Sequence, residues 1–364
     1  MTTLVKTAAI DADAHVVETE DTWEYMDPSE QKYKPVLLQT PNDAKRQYWL
    51  IDGKVRGLRL PAFSVDDLEK MSQAEGRSLA TAREAREMGN VGIRLQHMDR
   101  IGADIQVLHN TLFIQQVTDR AAVEVALYRS WNRWLADIWR KGEGRLRWSC
   151  MAPCLSIEDA RDQMRYGKEH GACAVIMRPV EGNRLMHDEY FYPIYEEASR
   201  LDLPIAVHIA NGNLWLDELY RHPVPSASGF ARFRIPTVTA MHDLIMSDVL
   251  QDFPKLRVGF IEASAQWVPW VLHEAQKRFR ILQRPWPENP MKEFRLFVTC
   301  ENSDDVSYII EQAGVDGLII GTDYGHTDPS SDLDAIRTFQ GREDLSAEVK
   351  QKILTDNPRA FYAL

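Results

Sequence analysis

Eight short apolar runs recur along the chain, and this pattern most constrains the fold. Most of them are followed by a segment with helical spacing of apolar residues, and none shows the polar alternation of a sheet with one wet face. Such runs are typical of a parallel sheet whose outer face is covered by helices. The predicted strands are Ile10–His15, Ala103–His109, Trp148–Ala152, Ala172–Met177, Pro204–His208, Leu256–Ile261, Arg295–Thr299 and Gly317–Asp323. We therefore predict an α/β fold, specifically a (β/α)8 TIM barrel rather than an open sheet.

The predicted domain organisation is a single barrel over residues 1–364 with an insertion after its first strand. Residues 22–90 are polar and irregular, and we expect them to form a cap over the active-site face. Within them, Tyr48–Val55 predicts a hairpin that turns at Asp-Gly, and Gln73–Met88 predicts a solvated helix. No glycine loop of the dinucleotide or Walker type follows any predicted strand, which counts against a nucleotide-binding fold.

Composition narrows the classes of partner. The 43 basic and 54 acidic residues give a formal charge of −11, which excludes a general nucleic-acid binder but not a small anionic substrate. The four cysteines follow no CxxC or disulfide pattern, so we expect buried free thiols in a reducing compartment. No apolar stretch is long enough to cross a bilayer and no secretory signal is visible. We expect a cytoplasmic protein that acts on a small molecule, without a membrane or nucleic-acid partner.

Residues that bind metals or move protons stand at the ends of the predicted strands. In a barrel of this class, catalysis takes place at the carboxyl ends of the strands. Buried carboxylates that converge with imidazoles are best neutralised by a cation. Taken singly, each such residue has a plainer explanation, such as a satisfied core histidine or a loop cap. The residues in question are Asp13, His15, His109, Arg178, His208, Glu262 and Asp323, with His326 in the loop after the last strand.

Three further polar residues have two interpretations each. Arg178 either pairs with a substrate carboxylate or bridges acids of the barrel. Asn211 and Asn213, which follow His208, either bind substrate through hydrogen bonds or serve the local turn.

Several motifs resemble a known family. Asp11–Glu18, the strand-end His208, Phe260–Trp270, Gly321–His326 and Ile353–Tyr362 are similar to the amidohydrolase-related branch of the amidohydrolase superfamily. Members are metal-dependent barrels that include non-oxidative decarboxylases of aromatic or muconate-type acids, and hydrolases. Members often form homodimers.

The resemblance implies a ligand set for the metal, with two departures from the usual pattern. It assigns His15, His208 and Asp323 to the metal, with Asp13 as the partner of His15. The usual opening pair is His-x-His, whereas this chain has an aspartate first. The decarboxylases carry a catalytic histidine at the end of strand six, where this chain has Glu262. Because glutamate has a reference pKa about two units below that of histidine, an anion at this position is more naturally a ligand than a general base.

These departures open the possibility of a second ion. The fourth strand ends in Met177-Arg178, so no lysine is available there to form a carbamate bridge. Glu262 could fill that bridging role, with His109, His242 or His326 serving a second ion.

Three functional hypotheses follow. The first is a zinc or manganese enzyme that decarboxylates or hydrolyses a small, aromatic or other organic acid. In that reaction, Asp323 or Glu262 would move a proton and Arg178 would orient the substrate acid. The second is a non-heme diiron monooxygenase on the same barrel, with one or two iron ions and Glu262 as the bridge. The third, a binding barrel without catalysis, is disfavoured because the ligand residues are retained.

Overall fold

The barrel forms as predicted. A computed structural model describes residues 8–40, 43–59 and 63–364 of the chain. Eight strands form one sheet in chain order, and every pairing between neighbours is parallel. We number them β1 (Ile10–His15), β2 (Ile105–His109), β3 (Leu146–Met151), β4 (Ala172–Met177), β5 (Ile205–His208), β6 (Val258–Ile261), β7 (Leu296–Cys300) and β8 (Leu318–Ile320). The fold is a TIM barrel.

Hydrogen bonds between the first and last strands close the barrel. The backbone nitrogen of His15 donates to the carbonyl of Tyr324 over 2.8 Å, and that of Asp323 donates to the carbonyl of Asp13 over 2.9 Å. The buried Asp11 carboxylate accepts hydrogen bonds from the amide and hydroxyl of Thr322 and from the side chain of Gln106. One aspartate therefore joins β1 to both of its neighbours, which holds the following residues of β1 at the barrel mouth.

Helices follow the strands and cover the outside of the sheet. The longest, Ala121–Lys141, packs the buried Trp131 and Trp134 and many smaller apolar side chains against β3. The α-helices are Val65–Glu75, Arg83–Arg86, Val91–Ile101, Ala121–Lys141, Ile157–Glu169, Tyr192–Leu201, Leu214–Leu219, Pro225–Gly229, Ile235–Met246, Val249–Asp252, Val268–Ile281, Pro290–Glu293, Val306–Ala313, Ala335–Gly341, Ala347–Gln351 and Asn357–Tyr362. Short 3-10 helices lie at Glu20–Tyr25, Pro28–Tyr33, Leu112–Ile114 and Glu189–Phe191, and π-helical turns at Phe230–Arg234 and Lys352–Asp356.

The insertion after β1 contains the predicted hairpin but not the predicted helix. Asp43–Ile51 and Lys54–Arg59 pair in an antiparallel register, and Val36–Thr40 adds a third strand. The prediction of one helix over Gln73–Met88 is wrong, because the preceding helix ends at Gly76, whose φ of 67° is left-handed. Of that predicted segment, only the end of the helix Val65–Glu75 and the short helix Arg83–Arg86 are helical.

The insertion contacts the loop that follows β8. Arg77 donates to the carbonyls of Asp328 and Ser331, and the carbonyl of Ser78 accepts from the amide of Leu333. These bonds tie residues 77–78 to the loop that borders the barrel mouth. A cap function for residues 22–90 stays a prediction.

Two composition-based expectations can be compared with the structure. All four cysteines are free and buried, as predicted. Among the described residues, no helix has both the length and the apolar character needed to span a membrane.

Candidate metal centre

Five residues with metal-ligating side chains meet at the carboxyl end of the barrel. Asp13 and His15 lie in β1, and His208 is the last residue of β5. Glu262 directly follows β6, and Asp323 stands three residues beyond β8. Each is at most 3 % exposed, so the cluster is shielded from bulk water. The structure brings all five predicted ligand residues to the barrel mouth. Asp13, His15, His208 and Glu262 form a first group whose ligand atoms lie within 4.8 Å of one another, and Asp323 lies beside that group.

The ligand atoms stand at distances that one ion can bridge. His15 Nε2 lies 3.4 Å from Asp13 Oδ1, 3.4 Å from Glu262 Oε2 and 3.4 Å from Asp323 Oδ1. His208 Nε2 lies 3.1 Å from His15 Nε2 and 3.2 Å from Glu262 Oε2. Bonds of about 2.1 Å to a divalent ion place neighbouring ligand atoms roughly 3.0 to 3.4 Å apart in octahedral or tetrahedral geometry. The spacing therefore fits the first coordination sphere of a cation.

Hydrogen bonds turn the free nitrogen of two imidazoles toward this point. His15 Nδ1 lies 2.8 Å from the carbonyl of Asn110, and His208 Nδ1 lies 3.2 Å from the carbonyl of Ile209. Because a carbonyl only accepts, each Nδ1 carries the proton and each Nε2 keeps its lone pair. Two lone pairs 3.1 Å apart repel each other unless a proton or a metal ion lies between them. Metal-binding histidines commonly hold their second nitrogen in this way.

Three carboxylate oxygens at the centre are buried without a hydrogen bond. They are Asp13 Oδ1, Glu262 Oε2 and Asp323 Oδ1, the last of which lies 2.8 Å from His326 Nδ1 without hydrogen-bond geometry. Burying an ionised carboxylate without a partner is costly, so native proteins pair such oxygens or bind a cation there. The donor set of carboxylates and imidazoles fits a divalent metal ion.

The electrostatics of the cluster agree with that conclusion. Burial, followed by the negative charges of Asp323 and Asp328, raises the pKa of Glu262 well above its usual value. Burial and the charge of Asp328 likewise raise the pKa of Asp323. Burial and nearby His326 lower the pKa of His15, which keeps that imidazole neutral and able to bind a metal. A divalent cation would replace the protons that these acids otherwise retain.

His326 adds a sixth ligand-type atom beside the cluster. The Thr111 hydroxyl donates to the carbonyl of Val16 over 2.8 Å and lies 2.9 Å from His326 Nε2. Since its only proton goes to the carbonyl, the hydroxyl accepts from Nε2–H, and His326 Nδ1 is left facing Asp323. His326 also stacks on the ring of His15 with centroids 3.8 Å apart. A second group of four, comprising His15, Glu262, Asp323 and His326, therefore overlaps the first.

Two of the carboxylate residues have unusual backbone conformations. Glu262 has a φ of 63° and Asp323 a φ of 48°, both in the left-handed region that residues with a Cβ rarely adopt. Such conformations cost about 1 kcal/mol or more and concentrate at functional sites. In both residues the strain accompanies a turn that directs a carboxylate into the barrel mouth.

A cavity of about 520 Å³ opens beside the centre. Glu262, His326, Asp328 and Ser330 form one part of its wall. The other lining residues include four apolar side chains and a second polar group: Ile114, Ile209, Gly229, Phe230, Phe233, Arg234, Glu301, Ser303 and Pro329. Its volume suits a small organic molecule with an apolar body.

Comparison with known proteins identifies the family. A family model described as amidohydrolase matches residues 10–364. The chain belongs to the amidohydrolase family. An amidohydrolase from Mycobacterium avium subsp. paratuberculosis K-10 superposes with a TM-score of 0.78 at 17% identity, over 99% of each chain.

Two decarboxylases of known structure share the barrel fold of this chain. The 5-carboxyvanillate decarboxylase from Sphingomonas paucimobilis has a TM-score of 0.67 at 17% identity, covering 98% of this chain and 99% of the other. The enzyme of the same name from Novosphingobium aromaticivorans, in complex with manganese, has a TM-score of 0.66 at 17% identity. It covers 98% of this chain and 96% of its own.

The amidohydrolase fold does not bring His109 or His242 to the ligand groups. His109 Nε2 lies 3.3 Å from the carbonyl of Ala12, and its Nδ1 lies 3.0 Å from the Ser149 hydroxyl, so both nitrogens already have partners. His242 lies in the helix Ile235–Met246 and borders an outer groove instead of the barrel mouth. Among the described residues, His326 belongs to a ligand group and His109 and His242 do not, and a second-ion role for either of the latter stays a prediction.

Arg178 adopts the second of its two predicted roles. Its guanidinium forms a buried ion pair with Glu181, with Nε 2.8 Å from Oε2, and lies 3.8 Å from Glu124. A further nitrogen donates to the carbonyl of Gln115 over 3.2 Å. These acids and carbonyls show that the guanidinium bridges barrel residues, and its role in orienting a substrate acid stays a prediction.

The two asparagines after β5 serve the local chain. Asn213 caps the helix Leu214–Leu219, and its amide donates to Gly182 and Asn183. Asn211 accepts from the amide of Asn213, while its own Nδ2 is buried without a partner. The turn interpretation therefore describes Asn213, and Asn211 keeps one donor unused.

Sequence reasoning missed the residues that support the ligands. Ser331 donates to Asp323 Oδ2 over 2.5 Å, and the Ser330 hydroxyl lies 3.1 Å from Glu262 Oε1. Both stand in the loop Asp328-Pro-Ser-Ser, which carries no metal-binding signature. Glu18 accepts from the amide of Thr111 and so holds the loop that supports His326. In the sequence, the one signal for Glu18 was its position in the opening motif.

Removing divalent ions should destabilise the protein. The metal would bind only the folded chain, since the ligands come from four separate strands. It would also neutralise buried acidic oxygens that have no hydrogen bond among the described residues. A chelator should lower the midpoint of thermal unfolding by about 3 °C relative to protein loaded with an excess of manganese. Differential scanning fluorimetry measures this shift. An identical midpoint with and without chelator would contradict a metal that stabilises this cluster.

Proposed function

We propose that this amidohydrolase is a metal-dependent enzyme that decarboxylates a small organic acid with an apolar body. The observation that carries the proposal is the position of the cavity, whose wall includes Glu262 and His326 of the buried ligand groups. A divalent ion, when bound, supplies a Lewis acid that polarises substrate oxygens. The decarboxylase relatives support the choice of reaction, and the manganese complex of one of them supports a divalent ion.

The chain's own residues provide the other requirements of the reaction. Asp13, His15, His208 and Asp323 would hold the ion, with Glu262 as a further ligand. His326 is hydrogen-bonded through Nε2–H to Thr111, and its Nδ1 faces Asp323. This pair can hold and deliver the proton that replaces the lost carboxyl group on carbon.

The reaction can be tested directly on protein loaded with manganese or zinc. We expect release of carbon dioxide from one or more members of a panel of aromatic and unsaturated carboxylic acids, without consumption of oxygen. Asp323→Asn should lower the rate at least about 100-fold, because both a ligand and the proton path are lost. Turnover of the panel with oxygen uptake and no net carbon dioxide release would contradict decarboxylation.

A second candidate function, a dinuclear oxygenase, is favoured by one observation. The two ligand groups share Glu262, and His326 Nδ1 completes the second group. A glutamate between two histidine- and carboxylate-rich groups could bridge two iron ions, and such a centre suits oxygen chemistry. Two irons per chain, with oxygen consumed when a substrate acid is added, would favour this candidate. One zinc or manganese per chain with oxygen-independent turnover would favour decarboxylation.

A further inference from the structure

The cavity contains a second polar group that the proposed centre does not use. Arg234 Nη2 donates to Glu301 Oε1 over 2.9 Å, and both side chains border the cavity. They come from different elements, since Arg234 ends the π-helical turn Phe230–Arg234 and Glu301 directly follows β7. No hydrogen bond or ion pair joins these two side chains to the ligand cluster within the described part of the chain. We call them the Arg234–Glu301 pair.

The pair leaves hydrogen-bonding capacity free in the cavity. Among the described residues, the bond to Glu301 is the one hydrogen bond that the Arg234 side chain makes, although a guanidinium has five donors. The two side chains are 26% and 18% exposed, which is enough to reach a ligand and little enough to be partly desolvated. Glu301 Oε2 accepts only a long 3.2 Å bond from Ser303. The pair therefore offers donors and an acceptor side by side.

The charge balance of the cavity wall decides which ligand group suits this pair. Glu262, Glu301 and Asp328 contribute three acids to the lining, whereas Arg234 and His326 are its two basic side chains. Glu301 already neutralises Arg234, so a second carboxylate on the ligand would stay uncompensated in a partly enclosed, acidic cavity. A neutral group that both accepts and donates, such as a primary amide or a hydroxyl, meets Arg234 and Glu301 together.

We propose that the Arg234–Glu301 pair determines specificity by binding a neutral, hydrogen-bonding substituent of the substrate and by rejecting a second carboxylate there. Phe230 and Phe233 on the same turn supply the apolar wall for the body that carries this substituent. Isolated π-helical turns occur often at functional sites, which agrees with this placement. The inference rests on the proposed function, because it assumes that the substrate's first carboxylate binds at the centre.

Benzoate and two para-substituted benzoates test the inference by calorimetric titration of manganese-loaded protein. Benzoate lacks the substituent, 4-carbamoylbenzoate carries a neutral amide, and terephthalate carries a carboxylate of nearly the same shape. We expect 4-carbamoylbenzoate to bind at least about tenfold more tightly than terephthalate. Glu301→Gln should reverse the preference, because it frees the charge of Arg234 for a carboxylate. Arg234→Gln should weaken binding of 4-carbamoylbenzoate to the level of benzoate.

Arg278→Gln is the matched control, since Arg278 forms a similar pair with Glu274 on the outer helix Val268–Ile281. This variant should keep the preference of the unmodified chain. Tighter binding of terephthalate to the unmodified chain, or a preference that survives Glu301→Gln, would overturn the inference. If benzoate binds but the protein shows no preference between 4-carbamoylbenzoate and terephthalate, the inference is overturned and the proposed function is not. Failure of all three acids to bind metal-loaded protein would overturn both the inference and the proposed function.

Discussion

Replacing His208 with alanine is expected to abolish tight metal binding and activity together. Its Nε2 lies 3.1 Å from His15 Nε2 and 3.2 Å from Glu262 Oε2, so it faces the point that the other ligand atoms share. The substitution would leave two buried carboxylates, Asp13 and Glu262, with one imidazole in the first ligand group. Loss of a supporting residue alone commonly costs 10- to 100-fold in metal affinity, so loss of a direct ligand should cost at least about 100-fold.

The measurement is metal content after dialysis against metal-free buffer, together with the affinity for added manganese. His273→Ala is the control, because His273 is exposed on the outer helix Val268–Ile281 and touches neither ligand group. Far-UV circular dichroism would verify that both variants keep the barrel. A folded His208→Ala protein that holds manganese as tightly as the unmodified chain would contradict the assigned ligand role.

Replacing Gly321 with alanine is expected to damage both the barrel and the metal centre. A Cβ at this position would lie 2.2 Å from the Cβ of Asp13 and 2.9 Å from its backbone nitrogen. These atoms belong to the closing strand pair, so they cannot move aside without breaking hydrogen bonds between β1 and β8. We expect a loss of about 3 kcal/mol in the free energy of unfolding, at the upper end for an overpacked interior.

The same substitution should weaken metal binding, because Asp13 must shift away from the other ligands. Chemical denaturation and manganese titration measure the two effects. Gly341→Ala serves as the control, since a Cβ there meets no atom within 4 Å. If Gly321→Ala has the same free energy of unfolding as Gly341→Ala and binds manganese with unchanged affinity, this would contradict a close contact between Gly321 and Asp13.

The strand-end pattern of the sequence predicted the fold and a list of candidate ligands, because both follow from local composition. The family resemblance then narrowed that list to the predicted ligand set. A run such as Pro204–Val207 must be buried, so the histidine that follows it must stand at the edge of a sheet. In a barrel, the carboxyl ends of all strands meet at one mouth, which brings Asp13 and Asp323 together across most of the chain. No contact information was needed for that step.

The parts that sequence reasoning missed depend on contacts between loops. The Arg178 guanidinium is engaged by Glu181, three residues away, and by the carbonyl of Gln115 in the loop after another strand. These contacts determine how many of its donors are left for a substrate. His109 ends a strand as His208 does, yet Ser149 and the carbonyl of Ala12 occupy its nitrogens. Strand-end position alone does not separate these two histidines.

The cavity is a further feature that no local pattern indicated. Its wall combines a π-helical turn after β5 with the loops after β7 and β8, and the residues involved carry no shared motif. Their proximity results from the order of strands around the barrel. The Arg234–Glu301 pair is therefore visible only in three dimensions.

The central claim is that residues from β1, β5 and the ends of β6 and β8 share one divalent ion. Anomalous diffraction at the metal edge, from crystals of protein grown with manganese, tests it most directly. We expect a strong peak within bonding distance of Asp13, His15, His208 and Asp323. A manganese-loaded crystal with no anomalous peak at the barrel mouth, and with these side chains unchanged, would contradict the claim.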